Sequence, residues 1–137
     1  MMKDIQTDDE LDQLIKENDI TVVDFYTTWC VPCKILTPRL EELANGTKND
    51  GMKIAFCKVD CEKVVKMADT FKITSVPTTV FFVKGKPDEK IIVGCEQVEM
   101  YKGKLDEIVK DIDGYASKMT VLISIEKKKK TTSKKKK

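Results

Sequence analysis

Two cysteines three residues apart stand where one apolar pattern gives way to another. Upstream, Thr21-Val22-Val23-Asp24-Phe25-Tyr26 is short, β-branched and aromatic, and polar residues bound it, so it reads as a buried strand. Downstream, from Pro32, residues Leu36, Leu40, Leu43 and Ala44 fall on one helical face until Asn45-Gly46 supplies a stop. A strand feeding a helix through Trp29-Cys30-Val31-Pro32-Cys33-Lys34 puts both thiols on one side of the first helical turn, close enough to bond. Such a pair can switch between dithiol and disulfide.

The rest of the chain continues the alternation. Thr7-Asp8-Asp9-Glu10 has the form of a capping box, and Leu11, Leu14 and Ile15 follow at helical spacing, which predicts a first helix near 8–17. Lys53 to Val59 reads as a strand, and Val64, Ala68 and Phe71 mark the stripe of another helix. Thr78 to Val83 and Lys90 to Val93 read as strands joined by a turn at Gly85 and Pro87, a hairpin. Leu105, Ile108, Val109 and Ile112 mark a last helix, and Pro38 predicts a kink inside the helix after the cysteines. Strands alternating with helices imply parallel pairings covered on both faces, and the late hairpin adds an antiparallel pair. The expected class is α/β, a mixed sheet flanked by helices. Thr120 to Ile125 is a candidate edge strand, and Lys127 to Lys137 is too charged to contribute to a core.

Composition narrows the chemistry. The 137 residues, 41% of them apolar, suffice for one sizeable core. No residue is histidine, so Ser-His-Asp and Cys-His arrangements, histidine-ligated zinc and imidazole proton shuttling are excluded. Eight of the 25 basic residues are lysines 127–130 and 134–137, which leaves 17 against 23 acidic residues, a balance of −6, on residues 1–126. An acidic body thus carries a tail of +8. The first ten residues show neither the basic nor the apolar stretch of a secretory leader. No apolar run approaches the roughly 18 residues that span a bilayer. The expectation is a reducing intracellular setting, where five cysteines (30, 33, 57, 61 and 95) are more plausible as reactive or metal-binding thiols than as a structural framework.

Within the pair, position assigns the roles. Cys30 falls at the helix N-terminus, where unpaired N–H groups and the dipole favour a thiolate. Cys33, one turn inside, is expected to keep a higher pKa and to attack second, on the mixed disulfide that Cys30 forms. Pro32 fixes φ in the first turn without losing a hydrogen bond.

With these residues in place the chain resembles the thioredoxin family. The family motif WCGPCK stands here as Trp29-Cys30-Val31-Pro32-Cys33-Lys34. The family's buried aspartate falls on Asp24, its kink proline on Pro38, and its lysine in a K-x-D strand on Lys58-Val59-Asp60. Its cis-proline loop falls on Ser75-Val76-Pro77-Thr78, and the glycine of its last strand on Gly94. The matches run in order across about residues 5–115. The implied organisation is a thioredoxin domain over 1–115, an extension with a candidate short strand over 116–126, and a disordered lysine-rich tail over 127–137.

The resemblance implies a protein-disulfide reductase with Cys30 as nucleophile and Cys33 as resolving thiol. Asp24, helped by Lys58, would relay the Cys33 proton, as suits a buried carboxylate of raised pKa. Trp29, Val31, Pro32, Val76 and Pro77 would line the groove that receives an extended substrate segment. It implies no bound cofactor, no metal, electrons from an external reductase such as NADPH-dependent thioredoxin reductase, disulfide-containing protein substrates, and a cytoplasmic monomer. Three departures stand out. Val31 replaces the usual glycine between cysteines, where residues tune redox potential; Tyr26 replaces a common tryptophan; and Cys95 to Met100 is a longer, more acidic segment than usual.

Other readings remain open at this level. Cys57 and Cys61 with the first pair would make a four-cysteine zinc set, although the second pair straddles a strand end. Singly, Cys57, Cys61 and Cys95 read as small apolar or surface residues. The Lys127–Lys137 tail reads as a solvated appendage, a nuclear-import-like basic cluster, or a contact for nucleic acid or an acidic surface. It contains no aromatic residue to stack on bases. A binding or adaptor subunit docked through that tail, and a disulfide oxidase or isomerase, are the alternative functions.

Overall fold

The capping box at Thr7 folds as its spelling implies. In the computed structural model, which describes residues 2–48 and 51–119, the Glu10 N–H donates to Thr7 Oγ1 at 3.1 Å and opens helix α1, Asp8–Glu17. The Glu10 carboxylate accepts from the Gln6 N–H at 2.8 Å, one residue ahead of the cap, so two donors at this helix start are satisfied. Before it, Met2–Ile5 is strand β1, with Met2 and Ile5 buried.

Strand β2, Ile20–Tyr26, is nearly all buried and lies inside the sheet. It pairs in parallel with β3, Ile54–Asp60, and antiparallel with β4, Thr78–Val83. Strand β1 pairs in parallel with the other edge of β3. The mixed sheet expected from the alternation is therefore present, in the order β1-β3-β2-β4, with two short antiparallel pieces beside β4.

Those pieces differ from the expected hairpin. Lys84 and Gly85 both have positive φ, 54° and 81°, and form a two-residue turn that pairs Val83 with Lys86 in strand β5, Lys86–Pro87. Pro87 has no N–H to extend the ladder. The Asp88 carboxylate then accepts from the Lys90 N–H at 3.0 Å, turning the chain away. Only Ile92–Val93, strand β6, returns to pair with Thr78 and Thr79 at the other end of β4. The expected Lys90–Val93 strand is thus shortened to two residues and separated from the tight turn.

Alternation along the strands separates two cores. Ile20, Val22, Phe56, Phe81 and Val83 face helix α2, Val31–Gly46, and helix α4, Val98–Lys110, which contribute Leu36, Leu40, Leu43, Tyr101, Leu105 and Ile108. Val23, Phe25, Cys57, Val59, Val80 and Phe82 face α1 and the short helix α3, Val65–Thr70, which Val64 and Phe71 flank. Helix α2 continues through Pro38, which supplies no N–H to the Lys34 carbonyl one turn back. It ends at Gly46, where Thr47 Oγ1 donates to the Leu43 carbonyl at 2.6 Å.

The helical chain resumes over 112–119, and Met119 packs into the α2/α4 core. A buried polar cluster fastens this end. The Asp88 carboxylate accepts from the Tyr115 hydroxyl and forms an ion pair with Lys104 at 2.9 Å, both groups largely withdrawn from solvent. The candidate strand at Thr120 to Ile125 and the Lys127–Lys137 tail lie outside the described residues.

Candidate active site

The parallel sheet delivers the end of β2 to the start of α2, and the cysteine pair occupies that junction. Cys30 is the N-cap of α2, and its Sγ accepts from the Cys33 N–H at 3.2 Å. Cys30 and Cys33 are joined as a disulfide with a Cα–Cα separation of 5.3 Å. On reduction the same N–H and the open end of the helix face the Cys30 sulfur, an arrangement that stabilises charge there. Exposure separates the two cysteines little, 5% against 2%, because apolar neighbours rather than the cysteines meet solvent. Trp29, Val31 and Ile35 are 69%, 65% and 50% exposed around the pair, and Pro32 is also exposed. The Trp29 indole N–H donates to Glu62 Oε1 at 3.0 Å, which fixes the ring from the loop after β3.

Asp24 lies behind the pair with no exposed surface. It faces the α2 side of the sheet, opposite Lys58 on β3 and Thr79 on β4. Burial pushes its carboxyl up to about 6, against the opposing effects of a hydrogen bond from Thr37 and the Lys58 charge. Thr37 Oγ1 lies 3.1 Å from Asp24 Oδ2, and Asp24 Oδ1 has no hydrogen-bond partner among the described residues. The Lys58 ammonium sits 5.7 Å from the centroid of the Tyr26 ring, so it acts on Asp24 through space. A cleft of about 360 Å³ opens in front of Asp24's partners, with Cys33, Thr37, Pro38, Tyr26 and Lys58 on its walls.

Antiparallel pairing of β2 with β4 brings the start of β4 to the same end of the sheet. There the Val76–Pro77 bond is cis and Pro77 is buried. Thr78 Oγ1 donates to the Ser75 carbonyl at 2.7 Å, and the Gly94 N–H donates to the Pro77 carbonyl at 2.8 Å, holding the loop from both sides. Gly94 has φ of 90°, which favours glycine at this position. Tyr101 and Arg39 secure the following segment: the Tyr101 hydroxyl donates to the Gly94 carbonyl at 3.2 Å, and the Arg39 guanidinium to the Glu96 carbonyl at 2.8 Å.

The other thiols are placed differently. Cys57 is buried in the α1/α3 core, where burial raises its pKa strongly, and Cys61 is pushed up to about 11 by burial and by Asp60 and Asp24. Both are poor thiolates near neutrality. Cys95 Sγ accepts from Arg39 at 3.4 Å. Among the described residues no group of three His, Cys, Asp or Glu side chains is placed to hold a metal ion.

Sequence reasoning missed two site residues. Thr37 stands four positions after Cys33, one helical turn along the same face, and that spacing was the available signal. Glu62 sits in a loop, where no periodicity points to it.

Known proteins resemble this chain in sequence and fold. The family model described as Thioredoxin matches residues 3–122. A thioredoxin of Mycoplasmoides gallisepticum is 44% identical over 91 residues, spanning 66% of this chain and 87% of its own. A bifunctional thioredoxin reductase/thioredoxin of Mycobacterium leprae is 35% identical over 79 residues, 58% of this chain and 17% of that longer protein. Among solved structures, a mutant thioredoxin from Halobacterium salinarum superimposes with a TM-score of 0.68 at 30% identity, covering 77% of this chain and 88% of that one.

Proposed function

Because the chain belongs to the thioredoxin family, we propose a specific division of labour for its disulfide chemistry: Cys30 attacks, Cys33 resolves and Asp24 takes the proton. The protein is a protein-disulfide reductase that works by thiol–disulfide exchange and needs no bound cofactor. The observation that carries the division is the Cys30 sulfur capping α2 while Cys33 borders the cleft together with Thr37, whose hydroxyl lies against Asp24. The Cys30 thiolate attacks one sulfur of the substrate disulfide, forming a mixed disulfide and releasing the first substrate thiolate. The Cys33 sulfur then attacks the Cys30 sulfur. Their bond forms, the Cys30–substrate bond breaks, and the second substrate thiolate leaves. Two electrons pass from the protein dithiol to the substrate, each substrate thiolate takes up a proton, and the Cys33 proton goes to Asp24. Lys58 supports the ionised form of Asp24. Trp29, Val31 and Pro32, with the Val76–Pro77 edge, form the apolar surround for an extended substrate segment.

The proposed electron source is an NADPH-dependent thioredoxin reductase, a reading supported by the relative that joins both functions in one chain. Disulfide-containing proteins are the substrates, the chain acts as a monomer, and its proposed compartment is the cytoplasm, with the basic tail allowing a nuclear pool. No helix among the described residues is long and apolar enough to cross a membrane.

Titration of the Cys30/Cys33 couple in redox buffers, read by thiol trapping and mass, tests the direction of electron flow. A two-electron midpoint near the thioredoxin value of about −270 mV is expected; one near about −180 mV or higher would make the protein an oxidase or isomerase. The +8 tail is proposed to contact polyanions. Deleting 127–137 is expected to leave turnover of a small protein disulfide unchanged and to remove salt-sensitive binding to nucleic acid. Binding that survives the deletion would refute the docking role, and turnover that falls with it would place the tail in the reaction.

A further inference from the structure

We infer that Thr37 is a positioning residue of the exchange reaction, whose hydroxyl orients the Asp24 carboxyl and alternates between it and the Cys33 carbonyl as Asp24 loses and gains its proton. This rests on the reading of Asp24 as the proton acceptor. Thr37 Oγ1 lies 3.1 Å from Asp24 Oδ2 and 3.0 Å from the Cys33 carbonyl oxygen. A hydroxyl has one proton to donate, so these two acceptors compete for it. When Asp24 is ionised, the charged oxygen is the stronger acceptor and holds the Thr37 proton. When Asp24 is protonated on Oδ1, Oδ2 becomes a neutral carbonyl oxygen and a weaker acceptor, and the Thr37 proton turns to the Cys33 carbonyl. That carbonyl is four residues back on the same helix, the usual partner of a threonine hydroxyl in a helix.

The arrangement distinguishes the two carboxyl oxygens. Oδ2 is held by Thr37, whereas Oδ1 has no partner among the described residues although it is buried. A buried acceptor left unpaired is costly and is commonly retained for a task. Thr37 thereby fixes the carboxyl with Oδ1 as the oxygen that accepts the Cys33 proton. As the Cys33 sulfur bonds to the Cys30 sulfur, the substrate sulfur leaves with the electron pair of the broken bond, and the proton moves to Oδ1. Solvent removes it afterwards by way of the cleft that Thr37 and Cys33 both line.

Other groups also face Asp24 and must be held constant in any test. They are Lys58 from β3, Thr79 from β4, Tyr26 from its own strand and Cys33 from α2, while Cys57 on the opposite face of β3 and Cys61 in the loop beyond it feel its charge from a distance. Of these only Lys58 is a cation. Thr37 is the neutral group that hydrogen-bonds the carboxyl, so its hydroxyl can be removed without altering formal charge.

The test compares the full chain with Thr37→Val, Thr37→Ser and Asp24→Asn. The Asp24 carboxyl is titrated in the oxidised protein by carbon-13 NMR, and single-turnover reduction of a peptide disulfide is followed against pH. Thr37→Val is expected to move the Asp24 midpoint upward by about one to two pH units, and the rate profile with it, because the charged form loses a hydrogen bond. Thr37→Ser keeps the hydroxyl and is expected to restore both. A midpoint and profile in Thr37→Val that coincide with the parent's would overturn the inference. Thermal unfolding of each variant separates this effect from loss of fold, and Thr37→Ala, which also lacks the hydroxyl, carries the test if the valine variant is unstable. A rate profile untouched by Asp24→Asn would sink the Asp24 reading itself. One that Asp24→Asn flattens and Thr37→Val leaves in place sinks the Thr37 role alone.

Discussion

Replacing Cys30 by serine is expected to lower reduction of a protein disulfide to the rate of the buffer thiol alone. A serine hydroxyl is not ionised near neutrality, so neither the N–H of Cys33 nor the end of α2 can turn it into a competent nucleophile. Cys33 cannot take its place, because it lies inside the first turn of α2, without the helix-end N–H that faces the Cys30 sulfur and favours its thiolate. Cys33→Ser should fail differently. It keeps the attacking thiolate, reacts once, and stops as a mixed disulfide whose mass equals protein plus substrate chain. Mass spectrometry of quenched reactions distinguishes the two. Parental turnover by Cys30→Ser would move the nucleophile to another thiol and dismantle the proposed order of events.

Asp24→Asn is expected to stabilise the folded protein by about 3 kcal/mol at pH 8, and by nothing below about pH 4. The reason lies in the two pKa values. Burial raises the carboxyl from 3.8 to about 6, so between these values the folded protein holds a proton that the unfolded chain has released. Stability that is fully present below the lower value is therefore lost as pH rises through the upper one. About two pH units at 1.36 kcal/mol each give the expected penalty. Asparagine carries no charge and escapes it. Urea unfolding of both proteins at pH 4 and pH 8 measures the difference, and equal stability at pH 8 would mean that Asp24 is solvated or paired more fully than its burial indicates. The same variant should resolve mixed disulfides slowly, so stability and activity move in opposite directions at one position.

Strong local patterns carried most of the fold into view. The capping residue Thr7, the β-branched run into Tyr26 and the leucine stripe of α2 each state their element within a few residues, and the order of elements dictates a mixed sheet. Weak elements were not legible. Strands β5 and β6 have two residues each, and their separation depends on the positive φ of Lys84 and on the Asp88 turn, neither of which leaves a periodic trace. The cluster of Asp88, Lys104 and Tyr115 joins residues far apart in sequence and needed the fold to be seen. In the candidate site, the types and spacing of Cys30, Cys33, Asp24, Lys58 and Pro77 point to them through their match to a known motif, and the structure brings them to one end of the sheet. Glu62 contributes only through a tertiary contact with Trp29. Thr37 was overlooked although its spacing from Cys33 was visible, because a threonine on a helix is ordinarily just a polar face.

The two-faced alternation of β2 has a further meaning for how this chain tolerates change. Ile20, Val22 and Asp24 face α2, while Val23 and Phe25 face the opposite core. Substitution at any one of these positions perturbs one place. A single inserted or deleted residue between 20 and 23 would invert the downstream positions. The acid would then point into the α1/α3 core and a large apolar side chain toward the cysteine pair. For this segment, then, the reading frame of the pleat is a stricter constraint than any single apolar letter: a volume-conserving exchange disturbs one packing contact, whereas a change of length turns both faces over.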